Sequence, residues 1–147
     1  VAMCGFAVWQ CGATPVYVDV LQDTFLMDPV DLERKITNKT KAIMPVHMYG
    51  NMCDMEKIKN IAQKYDLKIV EDAAQAIGSE LDNKKPGYYS NIATFSTHPL
   101  KILNGIGDGG FLITNDKEAY EKINKYRNHG IYYPWTILNG GSVDPIE

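Results

Sequence analysis

Short apolar runs alternate with amphipathic stretches along most of the chain. Val16-Tyr17-Val18-Asp19-Val20 is β-branched and aromatic and follows Gly12-Ala13-Thr14-Pro15, so it predicts a strand behind a turn. Asp28-Pro29 predicts the start of a helix reaching about Ile36, because Asp is a good N-cap and Pro suits the first helical position. Lys41 to Val46 predicts the next strand. Asp54 caps a second helix, in which Ile58, Ile61, Ala62 and Tyr65 keep helical spacing. Leu67-Lys68-Ile69-Val70 predicts a strand that ends at Glu71-Asp72, and Ile92 to Phe95 and Phe111 to Thr114 predict further strands. A last helix is expected from Asp116 to about Arg127, with Ala119, Tyr120 and Ile123 inward, ending at Arg127-Asn128-His129-Gly130.

Strand–helix–strand units favour parallel pairing, because a parallel crossover needs a dozen or more residues. The first three strands fit this. The link from Phe95 to Phe111 is Gly-rich and has no helical period, so the last strand is expected to run antiparallel. The expected fold class is α/β: a mostly parallel sheet flanked by helices, with one antiparallel strand. Residues 131–147 are rich in Gly, Pro and aromatics and read as loop. In open α/β sheets ligands bind beyond the carboxyl ends of the strands. That rule selects His47, Asp72, Gln75 and the stretch after Phe95.

Composition narrows the function classes. Hydrophobic residues make up 45% and charged residues 22%, ordinary for a globular protein, and the net charge of −3 is spread without a basic patch. Nucleic-acid binding and a polybasic membrane anchor are therefore not expected. No apolar run approaches the ~20 residues of a membrane-spanning helix, and Val1 to Gly12 lacks the charged start and cleavage site of a signal peptide. Cys4, Cys11 and Cys53 have no CxxC spacing and read as free thiols in a reducing cytoplasm. The chain begins at Val1 and stops at Pro145-Ile146-Glu147 without a closing element, so a fragment of a longer protein is expected.

Several residues could carry chemistry. Glu71-Asp72 directly after a buried strand is costly unless satisfied. Asp72 could accept a hydrogen bond from a protonated ring nitrogen, cap a helix or bind a metal. Thr94-Phe95-Ser96-Thr97-His98-Pro99-Leu100-Lys101 runs from a strand into a polar turn. There Ser96 could bind a phosphate oxygen, and Lys101 could act as an imine-forming nucleophile or remain a solvated charge. Asn104-Gly105-Ile106-Gly107-Asp108-Gly109-Gly110 matches neither GxGxxG nor a P-loop, and reads as a flexible lip beside Lys101. His47 is either a packed ring or part of a site wall. With only three His and no second ligand at metal spacing, zinc is not expected. No GxSxG elbow supports a hydrolase.

Taken in order, Gly12-Ala13-Thr14-Pro15-Val16-Tyr17-Val18-Asp19-Val20, Thr40-Lys41-Ala42-Ile43-Met44-Pro45-Val46-His47-Met48-Tyr49-Gly50, Glu71-Asp72-Ala73-Ala74-Gln75-Ala76, Phe95-Ser96-Thr97-His98-Pro99-Leu100-Lys101 and Gly107-Asp108-Gly109-Gly110 resemble the DegT-type sugar aminotransferases. The resemblance covers about residues 1–130. It implies the aspartate-aminotransferase-like fold of pyridoxal 5'-phosphate (PLP) enzymes, fold type I, with residues 1–130 as part of the PLP-binding large domain. It also implies a cytoplasmic homodimer that moves an amino group, usually from glutamate, to a keto group of a nucleotide-linked sugar for polysaccharide or antibiotic biosynthesis. Carried over by position, Lys101 matches the Schiff-base lysine and the proton carrier. Asp72 matches the acid that pairs with the pyridine nitrogen, Gln75 the residue near the ring's phenolic oxygen, and Ser96 a phosphate contact. His47 matches a wall position of the substrate site.

The family's phosphate-gripping segment would precede Val1, and its small domain would follow Glu147; after Gly130 the pattern fades. Two other readings therefore stand beside the transaminase. One is a truncated, non-catalytic copy. The other is a PLP-dependent sugar dehydratase, a class that carries His where this chain has Lys101.

Overall fold

The computed structural model describes residues 2–127. The loop expected over residues 131–147 and the helix end at Asn128-His129-Gly130 lie outside them. The elements, in chain order, are α1 (Ala2–Gln10), α2 (Pro29–Lys35), β1 (Ala42–Ile43), α3 (Met55–Lys64), β2 (Lys68–Asp72), β3 (Ile92–Ser96), β4 (Gly110–Thr114) and α4 (Lys117–Arg127). The strands form one sheet in the order β1-β2-β3-β4. The chain divides into two compact units, residues 1–113 and the part from residue 114 onward.

β1 pairs parallel with β2, Ile43 opposite Ile69. β2 pairs parallel with β3, Val70 opposite Ile92 and Asp72 opposite Thr94. β4 returns antiparallel to β3: the Thr97 amide donates to the Gly109 carbonyl at 2.8 Å, and Phe95 stacks on Phe111 with ring centroids 4.7 Å apart. The antiparallel last strand expected from the missing helical period is thus present.

Both predicted caps form. The Asp28 side chain accepts from the Val30 amide, with Pro29 in the first helical position; the Asp54 side chain accepts from the Lys57 amide. α3 ends because Asp66 turns left-handed (φ 51°). The Leu67 amide then donates to the Ala62 carbonyl at 2.8 Å, which satisfies an orphan carbonyl of the last turn. α3 buries Met55, Ile58, Ile61 and Ala62. With Leu32 of α2, Ile43 of β1 and Ile69 of β2 these form the core, joined by Leu26, Met52, Cys53 and Tyr89.

Two elements differ from expectation. Residues 16–20 form no strand. Val16 and Tyr17 are exposed, and the backbone is held piecemeal: the Asp19 amide donates to Asp31 Oδ2 at 2.8 Å, and Val20 makes one isolated antiparallel bridge to Met27. β propensity describes fit to a neighbouring strand, and among the described residues no strand flanks this one. Conversely, Ala2–Gln10 is a helix that the sequence pattern did not announce. Ala2, Met3, Phe6, Ala7, Val8 and Trp9 are apolar on all sides, so no amphipathic period marks it. In α4, Ala119 and Ile123 are half-buried but Tyr120 is exposed.

Candidate active site

Strand periodicity separates the acidic pair. Along β2, Ile69 and Glu71 face the core while Val70 and Asp72 lie on the opposite face. The two carboxylates therefore have different partners.

Glu71 is fully buried and bonded to His47, also fully buried, at 2.8 Å between Oε2 and Nε2. The Gly87 amide donates to both Glu71 oxygens at 3.1 Å. The Cys53 amide donates to His47 Nδ1 at 3.2 Å. Burial works against a charged imidazole, and a proton added at Nδ1 would meet the Cys53 N–H, itself a donor. That contact decides the state, and we assign a neutral ring with its proton on Nε2. His47 was expected on a substrate-site wall. With both ring nitrogens engaged inside the protein and no exposed surface, it is instead an internal brace.

The brace bears on the other face. The His47 amide donates to the Asp72 carbonyl, and the Asp72 amide to the Pro45 carbonyl, both at 2.9 Å. Two residues on, Tyr49 (φ 55°) and Gly50 (φ 80°) form a tight left-handed turn, closed by Asn51 N–H to the Met48 carbonyl at 2.8 Å. Gln75 clamps that turn: its Oε1 accepts from the Tyr49 amide at 3.1 Å, and its carbonyl accepts from the Gly50 amide at 3.0 Å. Residues 45–50 thus form a strap along residues 71–75.

Asp72 ends β2, half-buried. Its Oδ1 accepts from the Ala74 amide at 3.0 Å, and its Oδ2 accepts from the Cys4 thiol at 3.0 Å. Burial, the hydrogen bond to Asp72 and its negative charge raise the Cys4 pKa to about 11, so the thiol stays protonated. Nothing in the spacing of Cys4 signalled this contact, since the two residues are 68 positions apart.

Ser96 ends the neighbouring strand β3, two residues beyond the register partner of Asp72. Its Oγ accepts from the His98 amide at 3.2 Å, which leaves its hydroxyl proton to donate. Lys101 follows in the loop between β3 and β4 and is half-buried, its amide donating to the His98 carbonyl at 2.8 Å. The Gly-rich segment is less a slack lip than a folded-back one. The Gly105 amide donates to the Thr97 carbonyl at 2.8 Å. A Cβ on Gly109 would meet Thr97 Oγ1 at 2.7 Å, and one on Gly110 the Phe95 carbonyl oxygen at 2.4 Å. Asp72, Gln75, Ser96 and Lys101 therefore all stand at or beyond the carboxyl ends of the adjacent strands β2 and β3, as the strand-end rule anticipates. Among the described residues no group of three or more His, Cys, Asp or Glu comes together as a metal site, and no helix is long and apolar enough to cross a membrane.

These side chains fit PLP. Asp72 offers a carboxylate whose Oδ2 is met, among the described residues, only by the weak thiol donor of Cys4, suited to a protonated ring nitrogen. Gln75 has its amide oxygen fixed by Tyr49, which turns its NH2 into the donor available to a phenolate. Ser96 offers a hydroxyl proton to a phosphate oxygen, and Lys101 an amine.

The mostly parallel sheet with its antiparallel return is that of part of a PLP fold-type-I aminotransferase, the class of the solved structures it superposes on. More narrowly, the chain belongs to the DegT/DnrJ/EryC1/StrS aminotransferase family, whose model matches residues 4–136. It is 50% identical over 135 residues to a dTDP-3-amino-3,6-dideoxy-alpha-D-galactopyranose transaminase of Aneurinibacillus thermoaerophilus, covering 92% of this chain and 37% of that protein. It is 48% identical over 144 residues to a pleiotropic regulatory protein of Geobacillus stearothermophilus, covering 96% of this chain and 39% of that one. Among solved structures, S. venezuelae DesV in complex with a ketimine intermediate superposes with a TM-score of 0.87 at 39% identity, over 92% of this chain and 36% of that one. NtdA from Bacillus subtilis with bound cofactor PMP gives 0.83 at 38% identity, over 88% and 29%. The chain spans between a third and two-fifths of the length of the first curated relatives it matches.

Proposed function

We propose that the protein containing this chain is a PLP-dependent transaminase that moves an amino group, from glutamate as donor, to a keto group of a nucleotide-linked sugar. The observation that carries this reading is the pairing of Asp72 and Gln75 at the end of β2 with Ser96 and Lys101 beyond the end of β3. The family and the DesV and NtdA structures support the cofactor, and transaminase relatives support the substrate class. A homodimer in the cytoplasm, serving polysaccharide or antibiotic-sugar synthesis, belongs to the same proposal. So does the assignment of residues 1–130 to the PLP-binding large domain, with the phosphate-gripping segment and small domain supplied from outside them.

Bound PLP supplies an electron sink for the bonding pair released at the carbon that carries nitrogen. The chain's own residues do the rest. Asp72, as carboxylate, holds a proton on the ring nitrogen. Gln75 directs its NH2 at the phenolic oxygen, and Ser96 donates to a phosphate oxygen. Lys101 would hold the cofactor through Nζ as an imine, the aldehyde oxygen leaving as water, and as a free amine would carry a proton between the two carbons that flank the transferred nitrogen. A dehydratase of the same group carries His in place of this lysine, and Lys101 favours the transaminase.

The test is borohydride reduction of the full-length protein loaded with PLP, followed by peptide mass mapping. A stable adduct on Lys101, lost in Lys101→Ala, is expected. An adduct elsewhere, or none in the wild type, overturns the reading.

A further inference from the structure

The reaction as proposed uses Asp72 but not the thiol resting on it. Cys4 comes from α1, on the opposite side of the sheet strand from α3, and reaches across 68 positions of sequence to donate to Oδ2 at 3.0 Å. Close packing of that first helical turn makes the approach possible: Gly5 is buried, and a Cβ there would lie 2.1 Å from the Tyr17 hydroxyl. The other carboxylate oxygen, Oδ1, is held by the Ala74 amide. The carboxylate plane is thus set by one donor on each oxygen, one from the backbone and one from Cys4.

We propose that Cys4 is a positioning residue for Asp72: its thiol fixes the orientation in which the carboxylate presents its remaining lone pairs to the ring nitrogen of PLP. The proposal rests on the transaminase reading above for what Asp72 holds, but not for the contact itself. The chemistry suits the task. Each carboxylate oxygen has two lone-pair sites, so a thiol and a ring N–H can share Asp72. A thiol is a weak donor, so it orients the carboxylate without withdrawing much of its charge from the cofactor. Its raised pKa keeps the proton on sulfur at neutral pH, so no second anion competes beside Asp72. A thiolate there would repel the carboxylate and offer no hydrogen.

Two measurements on the full-length protein test this. The first is the S–H stretch by infrared difference spectroscopy of the cofactor-free protein, with Cys4→Ser used to assign the Cys4 band apart from Cys11 and Cys53. The expected Cys4 band lies at lower frequency than a free thiol and moves up in Asp72→Asn. A band unmoved by Asp72→Asn overturns the contact whatever the protein does with PLP. On loading PLP the band should stay low; a return to the free-thiol position would make Cys4 a mere placeholder, displaced by the cofactor, and refute positioning.

The second is PLP affinity by absorption titration, scored beside the Lys101 adduct. Cys4→Ala should weaken PLP binding about 2- to 10-fold, the equivalent of one net hydrogen bond. Cys4→Ser, which restores a donor, should recover most of it. Equal affinity in wild type, Cys4→Ala and Cys4→Ser, with the adduct still on Lys101, overturns the proposal and leaves the transaminase reading standing. Loss of the adduct in the wild type instead defeats the transaminase reading.

Discussion

Removing Glu71 should cost this fold more than removing any residue proposed to touch the cofactor. Its carboxylate is fully buried and serves two donors, His47 Nε2–H at 2.8 Å and the Gly87 amide at 3.1 Å. Glu71→Ala leaves both in an apolar setting, at about 1–3 kcal/mol each for an unmet buried donor. The total is about 2–6 kcal/mol. That is a large share of a typical stability of about 5–15 kcal/mol. Glu71→Gln should fall between, because its oxygen can still accept from His47 while its NH2 is turned toward the Gly87 amide. His47→Ala combined with Glu71→Ala should cost less than the two single changes added together, by about 0.5–3 kcal/mol, since the pair is coupled. Urea unfolding of the full-length protein, followed by circular dichroism and fluorescence together, gives the comparison from the midpoints where the slope is unchanged. A loss under about 1 kcal/mol for Glu71→Ala, combined with strict additivity in the double variant, would refute the reasoning, because it would mean the pair contributes no more than a surface contact.

Two further expectations follow from the geometry. Gly110→Ala puts a Cβ 2.4 Å from the Phe95 carbonyl oxygen, a backbone clash that cannot be relieved by a rotamer. It should destabilise by about 1–3 kcal/mol and, because Ser96 follows Phe95, weaken PLP binding as well; an unchanged urea midpoint refutes it. Asp31 has its pKa lowered from 3.8 to about 2 by the Asp19 amide, then Lys35 and Arg34. A depressed carboxylate adds stability that is present above the unfolded value and lost as pH falls through the folded one. The wild-type melting temperature should therefore drop between about pH 4 and pH 2 more steeply than that of Asp31→Asn; parallel curves would refute this.

What the sequence disclosed depended on how local the cause was. The caps Asp28 and Asp54 act within three residues, and both are where the spacing put them. The antiparallel return of β4 followed from a missing helical period, also a local fact. Residues 16–20 misled because β-branched composition says that a segment suits a strand, not that a neighbour is present to complete it. α1 escaped notice for the opposite reason, being apolar on every side. His47 shows a third case. A His just past a strand looks the same in sequence whether it points into a cleft or into the core, and only the register of Glu71 on the core face of β2 decides between them. Cys4 and Asp72 meet across 68 positions of sequence, a contact that no local window contains.

The register also explains where the proposed site is vulnerable. Asp72 and Gln75 are held chiefly by backbone groups: Pro45, His47, Tyr49 and Gly50 on one side, Ala74 on the other. Asp72→Asn keeps an oxygen for the Ala74 amide and every backbone bond of the strap, so it should leave the strap in place and change what it presents; Gln75→Ala also removes the acceptor of the Tyr49 amide and should loosen the turn. Changes behind the strap, at Glu71 or His47, act the other way round. They leave the presenting groups chemically intact but loosen the frame that aims them. Cofactor affinity should therefore fall with stability at Glu71 and His47, and without it in Asp72→Asn. That split gives the His47–Glu71 pair a role in function that a residue with no exposed surface would not otherwise reveal.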